Sequence, residues 1–377
     1  MKVAILTQPL HTNYGGTLQA FALQYILREF GHEPVTINYR KIKPVVHPIR
    51  LVLSRIKQKI IEGRIVYPFS DEDIKKISKH HNKFINKHIK YTDAIYSVGE
   101  LTDVINSGGF NAVVVGSDQT WRPRYSPRID SFFLDFLSEN KKIKKIAYAS
   151  SFGTDDWEFT NEQTAKFSKL LKEFHSVSVR ENSAVTLSSE HLGVSPEHVL
   201  DPTLLLDRKV YLELIKDVSS KGRGNVFNYV LDKSQEKKDV IQSVCKLLGK
   251  DFFATYPEHS EKEIRSIKNY AEYIYPPIEE WIRSFYDADF VITDSFHGTV
   301  FSIIFNKPFI SIGNERRGKA RFTSLLRMFN LENRLVSHAS DINSELINES
   351  IDFDMVNSKL DEMKMQSLTF LKRSLSV

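Results

Sequence analysis

Three short, mainly apolar runs, at 3–6, Ala112–Val115 and Phe290–Thr293, each stop at a cluster of glycine and polar residues and lead into a helical pattern. This repeated strand, turn and helix is what most limits the fold. A continuous apolar run of four or five residues reads as a strand covered on both faces, and a helix has to carry the chain back to start the next parallel strand. After residues 3–6 comes the polar loop His11 to Gly16. Leu18, Phe21, Ala22, Tyr25 and Ile26 then recur at helical spacing until Gly31. Residues 35–37 complete a βαβ unit. Strand signals return at 112–115, 146–149, 177–179 and, more weakly, 198–200, with a helical stretch at 162–174. The best linker is Lys221-Gly-Arg-Gly-Asn225. Beyond it the alternation restarts, with strands at 226–231, 251–254, 290–293 and 308–312, and helices at 235–248, 278–286 and 299–305. The expected fold class is therefore α/β, with two Rossmann-like domains facing a cleft and ligands at the strand carboxyl ends.

Length agrees. A chain of 377 residues, at about 150 residues per domain, calls for two domains. We place them at 1–220, with a helical insertion near 41–90, and at 221–352. A final helical pattern over 353–377 is expected to pack back on the N-terminal domain. The insertion is basic, with Ile49, Val52, Leu53, Ile56, Ile60 and Ile61 on one face. It reads either as an interfacial hairpin or as helices packed over the sheet with solvated lysines.

A hydrophobic fraction of 41% and a charged fraction of 26% exclude disorder and coiled coil as the main state. The formal charge of +5 suits an anionic substrate, an anionic membrane surface or a nucleic acid. Nucleic acid is disfavoured, because the cations do not form one stripe with interleaved aromatics. The single cysteine, Cys245, excludes a disulfide framework and any multi-cysteine metal site, and its amphipathic setting reads as a buried structural thiol. The first apolar run is too short for a signal peptide and no run approaches 18 apolar residues, so a cytoplasmic protein is expected.

Four segments carry residues that a core would not select. Thr12-Asn13-Tyr14-Gly15-Gly16-Thr17 joins a strand to a helix, where glycines admit close backbone approach and a helix N-terminus favours an anion; turn chemistry alone would also account for them. Gly116-Ser117-Asp118-Gln119-Thr120-Trp121 follows an apolar strand, where Ser117 or Asp118 would either meet a ligand or cap a helix. In Ser178-Val179-Arg180-Glu181, Arg180 ends a strand and can present its planar fork to a phosphate or carboxylate, or pair with Glu181 or another acid. The fourth segment is Phe290-Val-Ile-Thr-Asp294-Ser295-Phe296-His297-Gly298-Thr299. Here Ser295 is a natural N-cap, and His297, an imidazole, is the candidate proton-transfer group. Further on, Arg316, Arg317, Lys319 and Arg321 would form an anion clamp if their loop faces the cleft. His80, His81 and His88 lack an acidic partner at ligand spacing, and Asp71-Glu72-Asp73 reads as the capped start of a helix, so no metal is expected.

Taken in order, these segments resemble the polysaccharide pyruvyl transferase family. The resemblance runs through Asn13-Tyr-Gly-Gly-Thr-Leu-Gln-Ala20, Gly116-Ser-Asp-Gln-Thr-Trp121, Phe133-Leu-Asp-Phe136, Lys145-Ile-Ala-Tyr-Ala149, Ser178-Val-Arg-Glu181, Asp201-Pro-Thr203, Asp294-Ser-Phe-His-Gly-Thr299 and Arg321-Phe-Thr-Ser-Leu-Leu326. It covers residues 1 to about 330 and implies a GT-B-like fold. It also implies transfer of pyruvate from phosphoenolpyruvate onto two hydroxyls of a sugar, forming a cyclic ketal and releasing phosphate, with no cofactor. The implied acceptor belongs to a bacterial capsule or exopolysaccharide, or to its lipid-linked precursor, which would bring the enzyme to the inner face of the membrane. His297 matches the family's catalytic histidine and Arg180 its donor-contacting arginine. Several members have Arg-Leu-His where this chain has Ser295-Phe296-His297, so one expected cation is missing, and Arg316, Arg317, Lys319 or Arg321 would have to replace it. On this reading Asp118 activates or orients an acceptor hydroxyl. Ser295, Phe296 and Gly298 join Arg180 and the 316–321 cations around the donor, and Asn13, Tyr14, Gly15, Gly16, Ser117, Gln119 and Trp121 line the acceptor side. The competing enzymatic reading keeps the fold and makes the donor a sugar nucleotide, as in a GT-B glycosyltransferase.

Overall fold

The computed structural model describes residues 1–42, 71–220, 222–257, 270–313 and 318–376. The N-terminal half runs β1 (Lys2–Leu6), α1 (Tyr14–Glu29), β2 (Glu33–Thr36), α2 (Asp71–Ile77), α3 (Lys79–His88), α4 (Val98–Ser107), β3 (Ala112–Val115), β4 (Lys144–Ser150), α5 (Asn161–Leu171), β5 (Ser176–Val179), α6 (Asn182–Leu187), β6 (Glu197–His198), α7 (Pro202–Leu205) and α8 (Arg208–Ile215). The C-terminal half runs β7 (Val226–Tyr229), α9 (Gln235–Leu248), β8 (Phe252–Phe253), α10 (Ile278–Asp287), β9 (Phe290–Thr293), α11 (Phe296–Ile304), β10 (Phe309–Ile312), α12 (Lys319–Met328), β11 (Leu335–Val336), α13 (Ser344–Asn348) and α14 (Phe353–Leu375).

All strands are parallel. The first sheet has the order β2-β1-β3-β4-β5-β6 and the second β11-β10-β9-β7-β8. Strand order reverses between β1 and β3 in the first sheet and between β7 and β9 in the second, and ligand crevices open at such points in α/β sheets. Both faces of the first sheet are covered. Val3, Ile5, Ala112, Val114 and Ile146 enter one apolar cluster, while Ala4, Leu6, Val113, Val115 and Ala147 enter another. The period of two along each strand thus sorts side chains between two cores, which is why the runs carry no polar alternation.

The first cluster is shared by the two halves and includes Leu18, Ile77, Phe84, Trp281, Phe301 and Phe370. Tyr14 is fully buried in it, stacked on Trp281 at 5.3 Å, and its hydroxyl donates to the Pro276 carbonyl at 2.9 Å. Tyr275 N–H donates to the Ile77 carbonyl at 3.1 Å, so α1 and the α2–α3 pair grip the segment that leads into α10. The last helix, α14, returns to the first sheet, where Ser367 Oγ accepts from Leu200 N–H at 3.0 Å and Phe370 faces Tyr148 at 6.1 Å.

Some expectations need adjusting. The segment taken as a glycine loop is already helix, because α1 begins at Tyr14 and Asn13 caps it by accepting from Gly16 N–H at 3.1 Å. Of the basic insertion near 41–90, residues 43–70 lie outside the described residues, and the remainder forms α2, with its acidic first turn, and α3. Cys245 is only partly buried, at the edge of the cluster formed by Val240, Ile241 and Val244.

Candidate functional site

Five strand ends supply the site. The turn after β3 brings Ser117 and Asp118, β4 leads to Ser151, β5 ends at Arg180, β6 leads to Asp201, and β9 turns through Ser295 into α11 with His297 as its second residue. Asp118, Arg180, Asp201 and His297 are 7%, 2%, 1% and 7% exposed, so four ionisable groups share one buried place. Such burial is tolerated only where charges meet partners. Arg180 Nη1 donates to Asp201 Oδ2 at 2.7 Å and Nη2 to Asp118 Oδ1 at 3.3 Å. Asp201 Oδ1 caps α7 by accepting from the N–H and hydroxyl of Thr203, at 3.0 and 2.7 Å. Its Oδ2 also accepts from Ser117 Oγ at 3.3 Å and lies 3.6 Å from His297 Nε2.

The charges follow from these contacts. Burial opposes ionisation of Asp201, but His297, Arg180 and Thr203 overcome it and hold the carboxyl well below the usual carboxylate range. Burial likewise opposes ionisation of Asp118, and Arg180, His297 and Arg321 hold its carboxyl down. Arg180 stays cationic against desolvation because Asp201 and Asp118 face it.

Arg321 is another buried guanidinium near Arg180. It comes from α12 in the other half, and burial, then the neighbouring Arg180, pull its pKa down to about 10. Arg180 lies 4.4 Å and Arg321 5.7 Å from the centroid of the same ring, Phe296. The turn before α12 is fixed by Gly318 at φ +87°, where a Cβ would come within 2.0 Å of the Gly153 carbonyl oxygen after β4. Only glycine allows the two halves to approach there.

The predicted residues separate clearly. Asp118, Arg180, Phe296, His297 and Arg321 converge. Arg180 pairs with Asp118 and Asp201 rather than with Glu181, whose Oε1 accepts from Gly153 N–H at 3.2 Å. Asp118 caps no helix; a series of turns follows it, and its own φ is +76°. Ser295 caps α11, accepting from Gly298 N–H at 3.4 Å, and Gly298 lets that helix close on Thr293. Asp294 is a structural clamp: it pairs with Lys237 at 2.5 Å and accepts from the N–H groups of Leu231 and Asp232 at 2.7 and 3.1 Å. Lys319 is exposed at the start of α12, while Arg316 and Arg317 lie outside the described residues.

The acceptor-side expectation is corrected in two places. Tyr14 is sealed in the seam between the halves, and Trp121 is fully buried between Phe133 and Phe152 with its Nε1–H on the Phe132 carbonyl at 3.1 Å, so neither presents a surface to a ligand. Ser117 is also buried and faces Asp201. Asn13, Gly16 and Gln119 keep exposed surface. Gly15 is buried against His297, where a Cβ would come within 2.0 Å of Nδ1. Asp201 was not foreseen as part of the site. Its sequence signal, an aspartate before proline at a helix start, reads as a plain cap.

Two parallel sheets with charged groups from both halves meeting at their carboxyl ends define a two-domain GT-B-like α/β protein. Solved structures agree on this fold. The UDP-GlcNAc 2-epimerase of Neisseria meningitidis bound to UDP-GlcNAc superposes with a TM-score of 0.53 at 11% identity, over 98% of this chain and 100% of that one. The S. aureus MnaA–UDP structure gives 0.52 at 11%, over 99% and 96%. No curated protein matches the sequence. The model of the polysaccharide pyruvyl transferase family matches residues 13–316, most of the chain, and the protein belongs to that family. It is therefore a transferase with a sugar or polysaccharide acceptor. Among the described residues, no helix is long and apolar enough to cross a membrane.

Proposed function

We propose that the protein moves pyruvate from phosphoenolpyruvate onto two hydroxyls of one sugar, as a cyclic ketal, with release of phosphate. The observation that carries this reading is the pair of buried guanidiniums, Arg180 and Arg321, which both lie against the ring of Phe296, the neighbour of His297. A small donor with a phosphate at one end and a carboxylate at the other needs two such forks, and a buried site strengthens both contacts. In this reading Arg321 takes the place of the arginine absent before Phe296-His297.

The bookkeeping fits one proton carrier. The methylene carbon of the donor gains a proton and the neighbouring carbon bonds to the first sugar oxygen. The carbon–oxygen bond to phosphate then breaks, and the second sugar oxygen bonds to the same carbon. Of the two hydroxyl protons, one ends on the new methyl group and the other leaves with phosphate. His297 carries them and Asp118 orients an acceptor hydroxyl. The acceptor is a sugar of a bacterial polysaccharide or of its lipid-linked precursor, and in the latter case the enzyme works at a membrane surface.

The test is incubation with phosphoenolpyruvate and a panel of glycan acceptors, with phosphate release and the ketal mass increment on the sugar as readouts. Both should appear and should fall by about 10²–10⁴ in His297→Ala. Consumption of a sugar nucleotide in place of phosphoenolpyruvate would overturn the reading in favour of glycosyl transfer.

A further inference from the structure

We propose that Asp201 is a positioning residue for both halves of the site, one carboxylate oxygen fixing the Arg180 fork and the His297 imidazole relative to each other. Its role in catalysis rests on the reading of His297 as proton carrier; its geometry does not. The two oxygens divide the work. Oδ1 is spent on Thr203 at the start of α7, which is all that helix capping requires. Oδ2 serves the site: it accepts from Arg180 Nη1 at 2.7 Å, has Ser117 Oγ at 3.3 Å, whose one proton is shared with the Ala149 carbonyl at 3.1 Å, and stands 3.6 Å from His297 Nε2, which has no hydrogen-bond partner although it is buried. A shift of about half an ångström would close that gap to a hydrogen bond.

The pairing also spans the cleft. Asp201 and Arg180 belong to the first sheet and His297 to the second, so Oδ2 registers whether the two halves are together. The acids that face the imidazole are Asp201 and Asp118, which also face Arg180 and, for Asp118, Arg321, with Gly15 of α1 against the ring's other nitrogen. Of the two acids, Asp201 is the one within direct reach of Nε2. A carboxylate so placed favours the imidazolium and aligns the ring for repeated proton transfer.

The test reads the His297 ring by NMR, with its signal identified by loss in His297→Gln, and needs no substrate. Asp201→Asn keeps Oδ1 and its cap but replaces the shared oxygen with a donor. Its His297 ring signals should respond at lower pH than those of the parent protein. Asp201→Glu keeps the charge but moves the shared oxygen by one methylene, and should likewise shift the His297 signals. This second variant decides the question if Asp201→Asn does not fold. A His297 titration unmoved in either folded variant would make Asp201 a cap and nothing more. In turnover, Asp201→Asn should lower kcat and shift the pH profile of kcat/KM in the same direction as the NMR titration. Unchanged turnover alongside a shifted titration would keep the geometry and reject the pyruvyl-transfer role of His297, so the two readings fail separately.

Discussion

At the scale of single residues, Gly15 couples the first helix to the site. It sits in the first turn of α1, where its lack of a side chain costs helix stability, and Ala would be favoured there by about 1 kcal/mol. A methyl group would fall 2.0 Å from Nδ1 and 2.2 Å from Cγ of His297, so the imidazole would have to leave its position. Gly15→Ala should therefore keep native far-UV circular dichroism and lose about 10²-fold or more in phosphate release, since a displacement of an ångström at a reacting group costs that much. Retained turnover would show that His297 works from another rotamer. The same residues mark the limit of sequence reading. His297 and Arg180 were legible because a strand end followed by a helix start is where α/β folds expose polar groups. The burial of Tyr14 and Trp121 has no local mark in the sequence. What decides is a partner far along the chain, Trp281 for Tyr14, or a carbonyl on the next loop, Phe132 for Trp121.

At the scale of elements, the alternation was readable to within about three residues where it is marked, as in α9 at Gln235–Leu248, while α4, α8 and α12 lie outside the expected helices. Strand order was not readable, because parallel neighbours are chosen by crossovers that leave no local mark. Nor was the short β6 informative enough to present Asp201 as a site residue. Asp294 shows how the site-bearing turn is held. Its carboxylate is fully buried, joins Lys237 of α9 and receives two backbone N–H groups from the loop after β7, so it ties the β9–α11 turn to the neighbouring strand end. Removing Asp294 leaves Lys237 with the partly exposed Asp232 at 3.3 Å, and breaking such a buried pair costs about 3–5 kcal/mol. Asp294→Ala should lower the unfolding free energy measured by urea denaturation by that amount. Replacing Lys237 and Asp294 together with apolar residues should recover part of the loss. A change below about 1 kcal/mol for Asp294→Ala would mean that water replaces the clamp.

At the scale of the whole molecule, stability rests on the seam in which α1, α3 and α10 meet. His81 lies there fully buried, edge-on to Tyr14 at 4.5 Å and to Tyr275 at 5.6 Å, with neither ring nitrogen hydrogen-bonded. Desolvation, then the nearby His11 and His80, lower its pKa to about 3. In the unfolded chain the same imidazole binds a proton near pH 6.5. Between those values the unfolded state holds more protons, so this residue makes stability rise with pH, and its contribution fades as pH drops below about 6.5. The buried site carboxylates act in the same direction, but only below the ordinary carboxylate range near pH 4, because their folded pKa values are depressed. The window from pH 7.5 to pH 5 therefore separates the two effects. From His81 alone the loss across it is about 2 kcal/mol. His81→Phe keeps an aromatic ring in the seam and removes the proton. Its unfolding free energy should therefore depend less on pH in that window, by about the same 2 kcal/mol, while the parent protein loosens on acidification. Identical pH slopes for the two proteins would show that the seam admits the imidazolium, and that the halves are joined less tightly than the Tyr14–Trp281 stack implies.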